Sequence, residues 1–346
     1  MNWDLQRVIR VWTRFTVLSK QSMLILNERD MRQTVDYSII MDTVEEAYQI
    51  FDSGSFYMPH RPAIEHGENT LLYMPCFLDD AFGTKCLTVF PNNPAKGYPF
   101  IDGLMLLNNH ENGKTEAIMD AKYLTQLRTG AAGGVGIRHF SRSDCRSVGI
   151  IGAGRQGFYL AIYAAVARDI SCIYLYDTSP GDLTGYVERL RQELCAPRPE
   201  IHICGTVEQL LEKSEIVITA TPAVSPVVPD DAKLLRGKCF IAIGSFKPQM
   251  RELPDAIWEL TDTVYTELPF AMEESGDLSQ PLADGLLMDN QVKYIGQWLT
   301  RDKKPLPQPG QTTYFKSVGM GLLDLCVAKM IYKSAVKMRI GQAVDF

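Results

Sequence analysis

Apolar residues recur at helical spacing between residues 38 and 53, at Ile39, Ile40, Val44, Ala47 and Phe51, which predicts a helix with one buried face. A short apolar run at 23–27 precedes it and predicts a strand. Beyond Phe51 the period shortens. Residues 70–75, 83–90 and 103–108 are strand-like runs separated by Pro91-Asn92-Asn93-Pro94 and, further on, Glu111-Asn112-Gly113. This first segment is predicted to be α+β with an antiparallel sheet. Residues 120–140 return to a helical pattern.

From Arg146 the chain alternates. Strands are predicted at 146–151, 173–176, 201–204, 215–221 and 239–244, with helices at 158–167, 183–194 and 207–213. Alternating β and α elements build a parallel, doubly wound sheet. A Pro-rich stretch at 303–310 predicts a surface connection, and a Gly-rich turn then leads into a long helix at 322–337. The fold class is therefore α/β: a central Rossmann-type parallel sheet plus an α+β segment.

One spacing carries chemistry. The run Ser147-Val148-Gly149-Ile150-Ile151 leads directly into Gly152-Ala153-Gly154-Arg155-Gln156-Gly157, and a helix follows. In such a loop Gly152 permits the tight turn, Gly154 lets a pyrophosphate approach the backbone, and Gly157 lets helix and strand pack closely. The helix N-terminus adds N–H donors and a positive dipole end. Asp177 closes the next strand, where a carboxylate accepts from ribose hydroxyls and repels a 2′-phosphate, so the expected cofactor is NAD. Thr221 and Gly244 follow the next two strands, and ligands of doubly wound sheets bind at such carboxyl ends.

Composition narrows the partners. A chain of 346 residues suggests about two domains, and 46% apolar with 22% charged residues is ordinary for a globular protein. The net charge of -6, without a Lys/Arg run, argues against nucleic acid. No apolar stretch is long enough to span a bilayer. The eight cysteines contain no C-x-x-C and read as reduced, buried thiols, and the five histidines form no zinc pattern, so no metal is expected. A cytoplasmic location follows from these features. Residues 1–22 mix Arg7, Arg10, Arg14 and Lys20 with apolar residues and read as an N-terminal extension rather than a targeting signal.

A substrate with a carboxylate needs fixed cations. The first segment offers Arg61 between two prolines, Lys85 inside the apolar run Thr84-Lys85-Cys86-Leu87, and Arg128 in a predicted helix. Each has an alternative reading as a surface or structural cation, and spacing does not decide between the two. An inward-facing Lys85 would be suited to proton transfer.

Several stretches together resemble the ornithine cyclodeaminase/mu-crystallin family, from about Met23 onward. They are Gly83-Thr84-Lys85, Phe90-Pro91-Asn92, Arg128-Thr129-Gly130-Ala131-Ala132, the Gly152 loop, Ile243-Gly244-Ser245-Phe246-Lys247-Pro248, Arg251-Glu252-Leu253 and Phe315-Lys316-Ser317-Val318-Gly319-Met320 with Asp324. The resemblance implies a homodimer. Its substrate and dimerisation domain would comprise 23–130 and 315–346, around a dinucleotide domain at 131–314. It implies hydride transfer at the α-carbon of a small amino or imino acid. It casts Arg61, Lys85 and Arg128 as substrate-binding cations, with Lys85 and Arg128 catalytic and Val318 near the substrate. Thr129, Arg155, Gln156, Asp177 and Ser317 become cofactor contacts. In one place the chain departs from the pattern: cyclodeaminases of this family carry an Asp where Phe246 stands, and a cofactor-facing Lys where Met250 stands. The alternatives are a true ornithine cyclodeaminase and a non-catalytic NAD-bound ligand-binding protein of the mu-crystallin type.

Overall fold

The computed structural model describes residues 22–178 and 183–345. The N-terminal extension expected over 1–22 lies outside the described residues except for Ser22, which opens the first strand. The chain divides into two compact units, and both are discontinuous.

The described part of the first unit comprises residues 22–36, 55–125 and 321–345. Its sheet contains β1 (Ser22–Leu26), β2 (Ala63–His66), β3 (Asn69–Phe77), β4 (Phe82–Val89), β5 (Ile101–Asn108), β6 (Thr115–Asp120) and β15 (Gln342–Asp345), in the order β15-β1-β6-β5-β4-β3-β2. The expected antiparallel sheet is in fact mixed. β1 runs parallel to β6, with Leu24 opposite Ala117 and Leu26 opposite Met119, while the other neighbours are antiparallel. Parallel neighbours need a long connection rather than a hairpin, and β1 and β6 are far apart in sequence. Side chains alternate across the sheet. Met74, Cys76, Lys85, Leu87, Met105 and Leu107 are buried, and the Gly321–Met338 helix packs on β3, β4 and β5. The opposite face carries Tyr73, Phe77 and Leu104, which are exposed, with half-buried Phe82, Cys86, Leu106 and Ile118.

The second unit comprises 37–54 and 126–320. It contains β7 (Ser147–Ile151), β8 (Cys172–Tyr176), β9 (Glu200–Ile203), β10 (Ile216–Thr219), β11 (Cys239–Ala242), β12 (Val264–Thr266), β13 (Val292–Tyr294) and β14 (Thr313–Lys316). The order is β13-β12-β14-β11-β10-β7-β8-β9, and every pairing is parallel. β10 and β11 are buried at every position and β7 at all but its first, so these strands are continuous apolar runs, as a sheet covered on both faces requires. Burying each such Val, Ile or Phe contributes about 1.5–3 kcal/mol. The winding reverses between β7 and β10: from β7 the chain moves outward to β8 and β9, then returns to β10 on the other side. Ligands of doubly wound sheets bind at the carboxyl ends beside such a switch.

The units change over at 125/126 and 320/321, and Thr313–Lys316 is a strand of the parallel sheet, paired with β11 and β12. The Tyr37–Ser53 helix also groups with the second unit, where it packs on the Ile295–Leu299 helix. Among the described residues, no helix is long and apolar enough to cross a membrane, and none of the eight cysteines forms a disulfide.

Candidate active site

β7 delivers the chain into the glycine loop at the switch. Gly152 has φ +103°, and a side chain there would press on the carbonyl of Ala220 beyond β10. Gly154 is the N-cap of the Arg155–Ala167 helix and faces open space, so an anion can approach its backbone. A side chain at Gly157 would overlap the Gly152 carbonyl. The helix starts at Arg155 rather than at the predicted 158, because the loop's extended Gly154 is already its cap. Arg155 is exposed at the first helical position. Asp177 follows β8, and its Oδ2 accepts from the Ala153 N–H at 2.8 Å, so the acid is held against the loop.

The Ala121–Phe140 helix passes along the Arg155–Ala167 helix, with Gly130 and Gly133 against Tyr163 and Leu160. Thr129 is buried, and its Oγ1 has no hydrogen-bond partner; the same holds for Gln156 Oε1. Buried polar atoms are nearly always paired. Two orphans, together with the open Gly154 and the Asp177 carboxylate, fit a bound dinucleotide that would pair with them.

Two buried glutamates, both outside the expected set of site residues, organise the strand ends. Glu252 accepts at Oε1 from the Thr221 N–H (2.7 Å) and hydroxyl (2.8 Å), and at Oε2 from Gly244 N (2.7 Å), Ser245 N (3.3 Å) and Thr219 Oγ1 (3.0 Å). It ties together the ends of β10 and β11. Burial, followed by the nearby charge of Asp277, raises its carboxyl above the ordinary range. Lys316 Nζ lies 3.2 Å from Asp277 Oδ2; this is an ion pair by distance but lacks hydrogen-bond alignment. Thr221 and Gly244, read as cofactor contacts, thus stand at the expected strand ends with their loop held by Glu252.

Glu267 follows β12. Its Oε1 accepts from Tyr48 (2.5 Å) and Ser317 Oγ (2.9 Å), and its Oε2 from Val318 N (2.8 Å) and Gly319 N (2.6 Å). Gly319 has φ +76°, and a side chain there would overlap the guanidinium of the buried Arg128. Ser317 is buried and Val318 half-buried. Phe246 is 41% exposed, and Ser245 Oγ is taken up by Met250 O (2.6 Å) and Ser275 (2.8 Å). Met250 is buried, so its side chain points into the core.

In the first unit, Lys85 occupies an inward position of β4 and is fully buried. Its Nζ donates to both oxygens of Asp324 at 2.8 Å and to Thr125 Oγ1 at 3.3 Å. Asp324 lies in the first turn of the Gly321–Met338 helix, where the helix dipole favours an anion. The inward reading of Lys85 is the observed one. Thr125 precedes Arg128 by three residues in one helix, so the two share a face. Arg61 is half-buried in the segment before β2.

Among the described residues, Cys172, Glu200 and His202 bring possible metal-ligand atoms within 4.8 Å of one another. Cys172 and Glu200 begin β8 and β9, at the opposite strand ends from the glycine loop, and Glu200 and His202 are both exposed.

Fold and site together define a two-unit α/β protein with a nucleotide-type loop, a buried lysine–carboxylate pair and a buried arginine. The ornithine cyclodeaminase/mu-crystallin family matches residues 21–339, and the chain belongs to that family. It is 30% identical to a delta(1)-pyrroline-2-carboxylate reductase of Bacillus cereus, over 94% of this chain and all of that one. The delta(1)-pyrroline-2-carboxylate reductase of Thermococcus litoralis, solved with NADH and L-proline, superposes with TM-score 0.86 and 29% identity, over 93% of this chain and 100% of that one. An archaeal alanine dehydrogenase dimer with bound NAD gives TM-score 0.85 and 27% identity, over 94% and 99%.

Proposed function

We propose that this protein is an NAD(H)-dependent reductase of small imino acids, acting at the α-carbon of a C=N bond, with a cyclic imino acid such as delta(1)-pyrroline-2-carboxylate as the first substrate to try. The observation that carries this reading is the full-length likeness to a reductase solved with NADH and L-proline. When bound, NADH supplies the hydride. Gly152, Gly154, Arg155, Gln156 and Gly157 cradle its pyrophosphate, Asp177 takes the ribose hydroxyls, and Thr129, Thr221, Gly244 and Ser317 border it. Arg61 and Arg128 hold the substrate carboxylate, with Val318 against its body. Lys85 gives a proton to the imine nitrogen, and Asp324 keeps the lysine oriented and balances its charge.

Phe246 favours reduction over cyclodeamination, because a phenyl ring cannot activate water where the cyclodeaminases place a carboxylate. The apolar outer face of the first unit's sheet suits a second copy of the chain, so we propose a homodimer. The free cysteines fit a reducing, cytoplasmic setting. The test is to supply delta(1)-pyrroline-2-carboxylate with NADH and follow both NADH absorbance and L-proline. Proline formation at NADH-dependent rates supports the reading. Ammonia and proline from ornithine with catalytic NAD would point to cyclodeamination instead. NADH binding without turnover on any imino acid would point to a binding protein.

A further inference from the structure

β12 and β14 are parallel neighbours in register, with Thr266 opposite Lys316, so Glu267 and Ser317 emerge side by side at the carboxyl edge of the sheet. Thr266 Oγ1 donates to Lys316 O at 2.9 Å and closes the pair of strand ends. Glu267 is fully buried and its two oxygens receive four donors: the Tyr48 and Ser317 hydroxyls and the N–H groups of Val318 and Gly319. A carboxylate offers about four lone-pair sites, so this acceptor is filled. Such a residue has no acceptor site left for a metal or a substrate.

What Glu267 does is fix a turn. Two of its donors are consecutive backbone N–H groups, and the turn they form carries Gly319 at φ +76° directly against the Arg128 guanidinium. Tyr48 reaches the same carboxylate from the Tyr37–Ser53 helix. Burial first, and then the charge of Glu267, hold its phenol well above its ordinary pKa, so it stays a donor; Arg128 pulls the other way, which places its charge close by. Pattern reading could not find this glutamate: it is the only charged residue in Tyr265-Thr266-Glu267-Leu268-Pro269-Phe270, and its partners lie about 50 and 219 positions away.

We infer that Glu267 is the positioning residue for the carboxylate-binding end of the site: it locks the Ser317-Val318-Gly319 turn against Arg128 and so sets the direction of that guanidinium toward the substrate. The inference rests on the imino-acid reading and deepens it. Glu267 touches no reacting atom. Its substitution should act on substrate capture rather than on hydride or proton transfer.

The experiment uses the full chain and two variants. Glu267→Gln replaces one acceptor oxygen with an NH2 that faces donors, and Tyr48→Phe removes a single donor while leaving the carboxylate. KM and kcat are measured for the imino acid, the NADH Kd by fluorescence titration, and the unfolding midpoint by calorimetry. For Glu267→Gln, KM is expected to rise about tenfold or more, with kcat within about threefold and NADH affinity changed less than KM. Tyr48→Phe should raise KM by about threefold in the same pattern. A purely structural role would lower the unfolding midpoint and leave the KM of the folded enzyme unchanged. Unchanged KM in folded Tyr48→Phe and Glu267→Gln, or a collapse of kcat alone, overturns the inference. If Glu267→Gln does not fold, Tyr48→Phe decides by the same criterion. A wild-type chain that reduces no imino acid overturns the functional reading itself, a different result from an active wild type with insensitive variants.

Discussion

Both carboxylate oxygens of Asp324 stand 2.8 Å from Nζ of Lys85, and neither side chain is exposed to solvent, although the residues are 239 positions apart. The pair forms because β4 turns every second side chain toward the Gly321–Met338 helix, and Asp324 sits in that helix's first turn. Removing one partner leaves the other buried without this ion pair. Lys85→Met or Asp324→Leu should each cost about 3–5 kcal/mol of stability, read by denaturant unfolding. The double variant should regain most of that loss. Turnover should fall by about 10²–10⁴-fold in Lys85→Met and stay low in the double variant, which separates the lysine's chemistry from its structural partnership. Full activity in a folded double variant would remove Lys85 from the mechanism.

Asp177 has a double role to test. Its carboxylate accepts from Ala153 N, and on the proposed function it would also face an unphosphorylated ribose. Asp177→Ala should lower kcat/KM with NADH by about tenfold and narrow the preference over NADPH by at least as much. Steady-state kinetics with both cofactors measures this. An unaltered NADH/NADPH ratio would leave Asp177 as a loop support only.

These two sites mark how far pattern carries. The glycine loop and Asp177 were legible because the chemistry is local: one strand, six loop residues and the next strand end are read off consecutive positions. The inward reading of Lys85 was open to alternation within one apolar run, but its counter-charge was not, since Asp324 comes from the far end of the chain. Glu252 stood only inside a family stretch with no role attached, and Glu267 gave no signal, because a carboxylate filled by backbone and hydroxyl donors looks in sequence like any surface acid. Thr313–Lys316 escaped as a strand for a related reason. Four residues ending in lysine show no period, and only their neighbours β11 and β12 make them a strand. The parallel pairing of β1 with β6 was equally invisible, because nothing within β1 records its direction relative to a strand it meets much later.

Acid should loosen the second unit at Glu45. Burial works to raise this carboxyl, but His139 and Arg138 work to lower it, and the net effect is a lowered value. Arg138 Nη1 is a hydrogen-bonded partner at 2.9 Å, whereas His139 Nε2, at 3.0 Å, is off the hydrogen-bond line, so Arg138 is the firmer of the two. A carboxyl lowered in the folded state binds fewer protons there than when unfolded. Its contribution is therefore present above the ordinary carboxylate range and is lost as pH falls through the lowered value. Stability of the wild type between pH 7 and pH 3 should fall more steeply than that of Glu45→Gln, by unfolding at each pH. Parallel curves would deny Glu45 this part.

The outer face of the first unit's sheet offers a test of assembly. Tyr73, Cys86 and Leu104 lie opposite one another on β3, β4 and β5, and Pro75, Thr84 and Leu106 form the next row. Leu104 is 50% exposed. If the proposed homodimer forms through this face, Leu104→Arg should shift it to monomer in light scattering, with the unfolding midpoint of the monomer little changed. A dimer that persists at micromolar concentration would place the contact elsewhere.

The route of the chain through the two sheets also sets an order of events at the ribosome. β1 is synthesised first among the described strands, yet one of its two neighbours, β15, is translated last. All of 126–320 is made before the Gly321–Met338 helix that covers β3, β4 and β5 exists. Throughout that interval the nascent first sheet lacks a lid on its inner face, and Asp324 is not yet there to pair with Lys85. The parallel sheet can mature during elongation, but the mixed one closes only after the Gly321–Met338 helix and β15 have been made. Truncations that remove the Gly321–Met338 helix should therefore yield chains that retain a finished nucleotide loop and fail at the lysine.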